Sequence, residues 1–393
     1  MSYLFADIFG QDEAIAHIQR AWSAGKMPHA MLFVGPNGVG RRTTAMALAQ
    51  ALLCNQPVTL AGRPPATGPR AAMPDFPAIR QACGRCHDCR MVDAGTHPDL
   101  HLIYRELARY HDDPAVRDRK MQDLGIGVIG QFLLQQAYLS SSRGRGKVFI
   151  VLEADLMSTE AQQALLKTLE EPPAGVTIIL VAESAQQMLP TTISRCAVIH
   201  FHRLGTALVQ QKLVERGVDA PQASFWAIFT EGSLGSAMEL SQGGLYPLKR
   251  ELVTRLAELP AWGDVAWGEQ LHEHCRKLAD QTLREAKKDR GVELAQTVAT
   301  REAAVTVLAL LASAVRDALA LASGSDQPQA NADQRDQVAK LAGRLSPGQL
   351  AEVLEQLATY EQLLWRNVNL KLLWDNVAIT CGNAAPLPLG QWA

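Results

Sequence analysis

The sequence predicts an α/β domain built on a parallel sheet, followed by a small helical unit and an all-α C-terminal region. Short apolar runs alternate with helical patterns through the first 200 residues. The first run ends in a glycine-rich turn, and strand-like runs stop after about residue 203.

The elements follow in order. Residues 31–34 (Met-Leu-Phe-Val) have the unbroken apolar character of a strand covered on both faces, as do 147–152 and 176–182. Residues 43–53 form a helix directly after the glycine-rich turn. Between the second and third strands, 158–171 is helical: Ser158 caps it, Glu160 suits its positive end, and Ala161, Ala164, Leu165, Thr168 and Leu169 recur at helical spacing. Pro172-Pro173 ends it. The proline-rich stretch 56–77 reads as an irregular insertion. Residues 204–243 read as a helical unit closing on Gly232-Ser233-Leu234-Gly235-Ser236-Ala237. Beyond 246 the pattern is helical and Leu/Ala-rich, with a polar loose loop at 322–333. The expected domains are 1–203, with a cysteine module at about 54–89, then 204–243 and 246–393.

Composition narrows the class. The 393 residues are 47% hydrophobic and 20% charged, with a net charge of -2, so no global basic field attracts nucleic acid. The first eleven residues lack a signal-peptide pattern, and no apolar run approaches the roughly 18 residues of a membrane span. A cytoplasmic protein without membrane contact is expected. Trp262, Trp267, Trp365, Trp374 and Trp392 read as core or interface residues. His272 and His274 read as exposed, and Lys287, Lys288 and Arg290 as a solvated helix face.

The glycine-rich turn carries the most chemistry. Gly35-Pro36-Asn37-Gly38-Val39-Gly40-Arg41-Arg42-Thr43 lies between strand and helix, where G-x-x-x-x-G-K-[ST] binds nucleotide phosphates. Gly35, Gly38 and Gly40 allow the wrap that presents backbone N–H groups to an anion. The phosphate-reaching lysine is replaced by Arg41 and the Mg²⁺-binding hydroxyl by Arg42. Arginine has no oxygen for a cation, and its planar fork does not replace a compact ammonium. Thr43 falls one residue late. At the end of the 147–152 strand the metal-holding Asp position is Leu152, leaving Glu153. Two defects in one site predict a retained fold element without intrinsic ATPase; Mg-dependent ATP binding is the other reading.

Cys83, Cys86 and Cys89 follow the C-x-x-C-x-x-C pattern, and Cys54 ends the helix after the turn. Four thiolates at such spacing close a tetrahedral Zn²⁺ site with no open position, hence structural zinc. A redox or disulfide role is the competing reading. The insertion between Cys54 and Cys83 makes Cys54 the least secure ligand.

Several stretches in fixed order carry a family resemblance: 5–11 (Phe-Ala-Asp-Ile-Phe-Gly-Gln), Pro28-His29-Ala30, the glycine-rich turn, Gly95-Thr96-His97-Pro98-Asp99, 164–173 ending Glu170-Glu171-Pro172-Pro173, and Ser194-Arg195-Cys196. Together they resemble bacterial clamp-loader subunits of the AAA+ class, strongly over 1–203 and more thinly through 365–372. The resemblance implies an AAA+ fold with a helical lid and a C-terminal collar. It implies partners through the collar (ATPase subunits and a delta-type subunit), and sliding clamp and primer-template DNA through the assembly. Arg41, Arg42, Leu152 and Gly235 all depart from the family's ATPase type toward its non-hydrolysing type, so no ATP is expected on this chain. An active ATPase subunit with a divergent loop is the alternative. The family's Ser-Arg-Cys arginine reaches the ATP of an adjacent subunit, which gives Arg195 that role; a structural arginine paired with a nearby carboxylate is the competing reading. Cys196 reads as a packing residue.

Overall fold

A computed structural model describes residues 3–61, 76–117, 123–260, 264–290, 295–366 and 368–382. Trp262, Trp392, Asn367 and the side chains of Lys287, Lys288 and Arg290 lie outside the described residues, as does most of the proline-rich insertion. The chain divides into two compact units: Met1–Val209 with Glu231–Ser236, and Gln210–Thr230 with Ala237–Ala393.

The first unit contains seven described strands: β1 Ala30–Val34, β2 Val58–Leu60, β3 Ile79–Gln81, β4 Leu100–Ile103, β5 Lys147–Val151, β6 Val176–Ala182 and β7 Ala197–His200. Five form one sheet in the order β4-β5-β6-β1-β7, every pairing parallel. β6 is thus inserted between the glycine-turn strand β1 and the strand β5 that leads into Glu153. Successive side chains of a strand point to opposite faces, and both faces are covered. Met31 and Phe33 join a core with Ile15, Ile18, Leu48 and Val181, whereas Ala30 and Leu32 join Leu165, Leu169, Phe149 and Ile178 on the other side. Each of these side chains larger than alanine contributes about 1.5–3 kcal/mol on burial. This explains why β1, β5 and β6 have no polar alternation.

β4 and β7 were not foreseen. Each carries a histidine (His101, His200) that breaks the apolar run. The helix after the turn spans Arg41–Leu53, and Thr159–Glu170 has Ser158 as its cap, the Ser158 hydroxyl accepting from Ala161 N at 3.2 Å. β2 and β3 pair antiparallel, Val58 opposite Gln81 and Leu60 opposite Ile79. The start of the proline-rich stretch is therefore a paired strand, largely exposed, which corrects the expectation of an irregular segment at 58–60.

The second unit is helical throughout its described residues. Its longest elements are Val265–Arg290, Gln296–Ala322, Pro347–Leu363 and Leu245–Glu258, and Leu370–Cys381 is the last described helix. Gln296–Ala322 is long and apolar enough to cross a membrane by length and composition, contrary to the expectation that no run comes close. Its Ala304, Val307, Leu308, Leu311, Ala314 and Ala318 are buried, as in a bundle's central helix. The polar loop at 322–333 is less loose than expected. Asp317 accepts from Ala330 N at 3.2 Å and from Asn331 N at 2.7 Å. Trp267 and Trp374 are buried while Trp365 is 67% exposed, and His272 and His274 are half-buried rather than exposed. A Cβ at Gly268 would lie 2.8 Å from Asp375 Cα, so the crossing of Val265–Arg290 over Leu370–Cys381 requires glycine. G268V is expected to cost about 1–3 kcal/mol through overpacking, read as a lower urea midpoint.

Candidate functional site

The glycine-rich turn runs from the end of β1 to the helix Arg41–Leu53. It is tied down by Gln11, whose amide donates to Val39 O at 3.1 Å and to His202 O at 2.7 Å while accepting from His202 N at 3.1 Å. This gives the Phe-Gly-Gln stretch its structural reason: one buried amide joins the turn to the chain beyond β7. The segment 232–236 closes on the turn from the other side. Gly235 N donates to Gly38 O at 2.8 Å, and a Cβ at Gly38 would lie 2.1 Å from Ser233 Oγ. Backbone meets backbone here, and Gly235 brings no side chain to the turn.

Arg41 is buried and turns toward Glu183, past the end of β6, with its guanidinium 3.9 Å from the carboxylate. Burial pulls its pKa below the ordinary arginine value, and Glu183 and Asp155 oppose that pull. Arg42 and Thr43 are exposed. The buried hydroxyl of the helix's first turn belongs to Thr44, and it is spent on Gly40 O at 2.8 Å.

At the end of β5, Leu152 packs against the core. Glu153 sits in a left-handed conformation (φ 54°), and Arg105 grips its carboxylate from Nε at 2.7 Å and from Nη2 at 2.9 Å. That bidentate bond raises the Arg105 pKa. Asp155 accepts from Glu183 N at 2.9 Å. Arg105, Asp155 and Glu183 were not singled out from sequence. Arg105 follows the unforeseen β4, so no pattern placed it beside Glu153.

Arg195 lies after the short helix Pro190–Ile193, apart from this cluster. Its Nε donates to Glu170 Oε1 at 2.6 Å, its Nη2 to the same oxygen, and its Nη1 to Thr191 O at 2.8 Å. It has the carboxylate partner that a structural arginine would have, yet its side chain is 30% exposed. Cys196 is pushed up to about 12 by burial, so it stays a thiol, in keeping with packing.

The structure brings Cys54, Cys83, Cys86 and Cys89 together. Their sulfurs all lie within 4.8 Å of one another, and all four cysteines are free thiols. Sγ–Sγ separations are 3.6 Å (Cys54–Cys83), 3.8 Å (Cys54–Cys86), 4.0 Å (Cys83–Cys89) and 3.4 Å (Cys86–Cys89). A tetrahedron with metal–sulfur bonds of about 2.3 Å needs edges of roughly 3.8 Å, so the donor set fits one ion. Cys54 reaches the others because the β2–β3 stem closes the insertion at its base. Next to the cluster, buried Asp88 holds Asn55 and accepts from Arg143 Nε at 2.9 Å. Asp99 accepts from Ser142 N at 2.7 Å and Arg143 N at 2.8 Å. The Thr-His-Pro-Asp stretch therefore anchors the loop ahead of β5.

A parallel sheet of this order, a glycine-rich turn after β1 and a helical C-terminal region define an AAA+-type protein. Residues 10–67 and 70–205 match the family described as "DNA polymerase III, delta subunit", and 267–380 match "DNA polymerase III, delta subunit, C terminal". The chain belongs to the bacterial DNA polymerase III clamp-loader family, within its delta-prime type. It is 31% identical to subunit tau of Escherichia coli over 60% of this chain and 32% of that one. It is 29% identical to subunit delta' of Bacillus subtilis over 60% of each chain, and 27% identical to subunit delta' of Escherichia coli over 90% of this chain and 88% of that one. The chain thus spans about a third of the tau relative's length and most of the Escherichia coli delta' relative.

Proposed function

We propose that the chain is a non-hydrolysing, delta-prime-type subunit of the replicative clamp loader, and that Arg195 completes an ATP site on a neighbouring subunit. One observation carries the first half. The side chains that would hold Mg²⁺ and the phosphates are replaced or engaged: Arg41 faces Glu183, Arg42 and Leu152 stand where the hydroxyl and the Asp would be, Glu153 is held by Arg105, and Gly235 brings no side chain. An arginine supplied in trans stabilises charge that develops on phosphoryl oxygens, so hydrolysis waits on assembly. The family resemblance supports this role for Arg195, whose partly exposed side chain a neighbour can reach. On this reading residues 246–393 are the collar that joins the ATPase subunits and a delta-type subunit. Sliding clamp and primer-template DNA are met through the assembly, in the cytoplasm. Cys54, Cys83, Cys86 and Cys89 hold a zinc ion that braces the fold and takes no part in chemistry.

Titrating Mg-ATP into the isolated chain tests the non-hydrolysing reading. Binding weaker than about 1 mM, roughly 4 kcal/mol, is expected. Micromolar affinity would instead favour an ATPase subunit of the tau type with a divergent loop. The paired change R41K with R42T is expected to leave affinity low, because Leu152 and Gly235 still lack the groups that hold Mg²⁺ and the phosphates.

A further inference from the structure

We infer that Glu170 is a positioning residue for the Arg195 guanidinium, an inference that rests on the reading of Arg195 as a finger. Glu170 receives the Nε and Nη2 donors of Arg195 on a single oxygen, and Thr191 O receives Nη1 at 2.8 Å. Arginine has five N–H donors, so these bonds set the plane of the fork without exhausting it. The Arg195 side chain keeps 30% of its surface open and Glu170 keeps 48%, so a neighbouring chain's phosphates have a way in.

The place of Glu170 in the fold argues against a role in stability. It is the last residue of the helix Thr159–Glu170, at the negative end of the helix dipole, where a carboxylate is disfavoured. An exposed ion pair adds little to the fold. A carboxylate kept there needs another use, and Arg195 is its partner. The backbone beneath it is also fixed: His29 Nε2 bonds Leu169 O at 2.8 Å, and His29 O accepts from Ile178 N at 2.7 Å on β6. The Pro-His-Ala stretch thus fixes the helix end whose Glu170 holds the Arg195 guanidinium. Holding a long, flexible side chain near its working orientation reduces the ordering needed when it meets its target.

The test uses the reconstituted clamp loader containing this chain, with steady-state ATPase as the readout. E170Q is expected to lower kcat about 10-fold to 100-fold with KM for ATP unchanged, since Glu170 does not bind the nucleotide. E170A should behave alike, and E170D, which keeps the charge on a shorter arm, should recover part of the rate. In an R195A background E170Q should add nothing. If R195A lowers the rate and E170Q and E170A do not, or if the two losses multiply, the positioning role is wrong while the finger stands. If R195A itself leaves ATPase unchanged, the finger reading fails, and the positioning role with it.

Discussion

Replacing Arg195 by alanine is expected to lower ATP turnover at the neighbouring site by roughly 10³-fold, the scale of removing a trans-acting arginine. The argument is electrostatic. Negative charge accumulates on the transferred phosphoryl group, and a guanidinium brought against it in a water-poor interface counts for far more than in solution. Two arginines of this chain's own glycine-turn region are already engaged, Arg41 with Glu183 and Arg105 with Glu153. The loss should be one of rate alone. Arg195 and Glu170 are both partly exposed, and such pairs contribute about 0–1 kcal/mol to stability, so R195A should melt and assemble like the parent. R195K should not rescue the rate: lysine has no Nε–H for Glu170 and presents a point charge in place of a fork. ATPase and clamp-loading assays on the reconstituted complex check this, and unchanged hydrolysis in R195A would remove the finger role.

The sequence made the inner sheet legible because β1, β5 and β6 are apolar on both faces. The edge-side strands were not legible. β4 (Leu-His-Leu-Ile) stacks His101 on the Phe149 ring at 4.7 Å between centroids, and only that packing explains a histidine in the run. The same gap hid Arg105. What lies beside Glu153 depends on parallel pairing between chain segments nearly fifty residues apart, and periodicity carries no signal for that. Gly235 shows the converse. Its lack of a side chain was visible in the sequence, but its backbone bond to Gly38 was not. Cys54 needed one further fact, the β2–β3 stem, whose three-residue strands are too short to show as a pattern.

Losing one cysteine of the quartet should cost the metal and with it the module. Protein as purified is expected to carry one zinc ion per chain by elemental analysis, and C89S to carry none, because three sulfurs cannot close the tetrahedron that the 3.4–4.0 Å separations describe. A structural zinc of this kind is bound with about 10 kcal/mol or more, and part of that should appear as lost stability. The path of the loss is specific. Cys54 is the C-cap of Arg41–Leu53, the helix that begins at the glycine-rich turn. Asp88, one residue before Cys89, holds Arg143, and Asp99 holds the backbone of Ser142 and Arg143 just ahead of β5. Hydrogen exchange in C89S should therefore rise at 87–93 and at 142–146, and at the C-terminal end of Arg41–Leu53, with β6 still protected. Retained metal in C89S would remove Cys89 from the ligand set. Faster exchange confined to 87–93 would mean that the module sits on the fold as a separate knob. The bond from Arg143 to buried Asp88 predicts the wider change, in which zinc braces both the turn's helix and the strand that leads into Glu153.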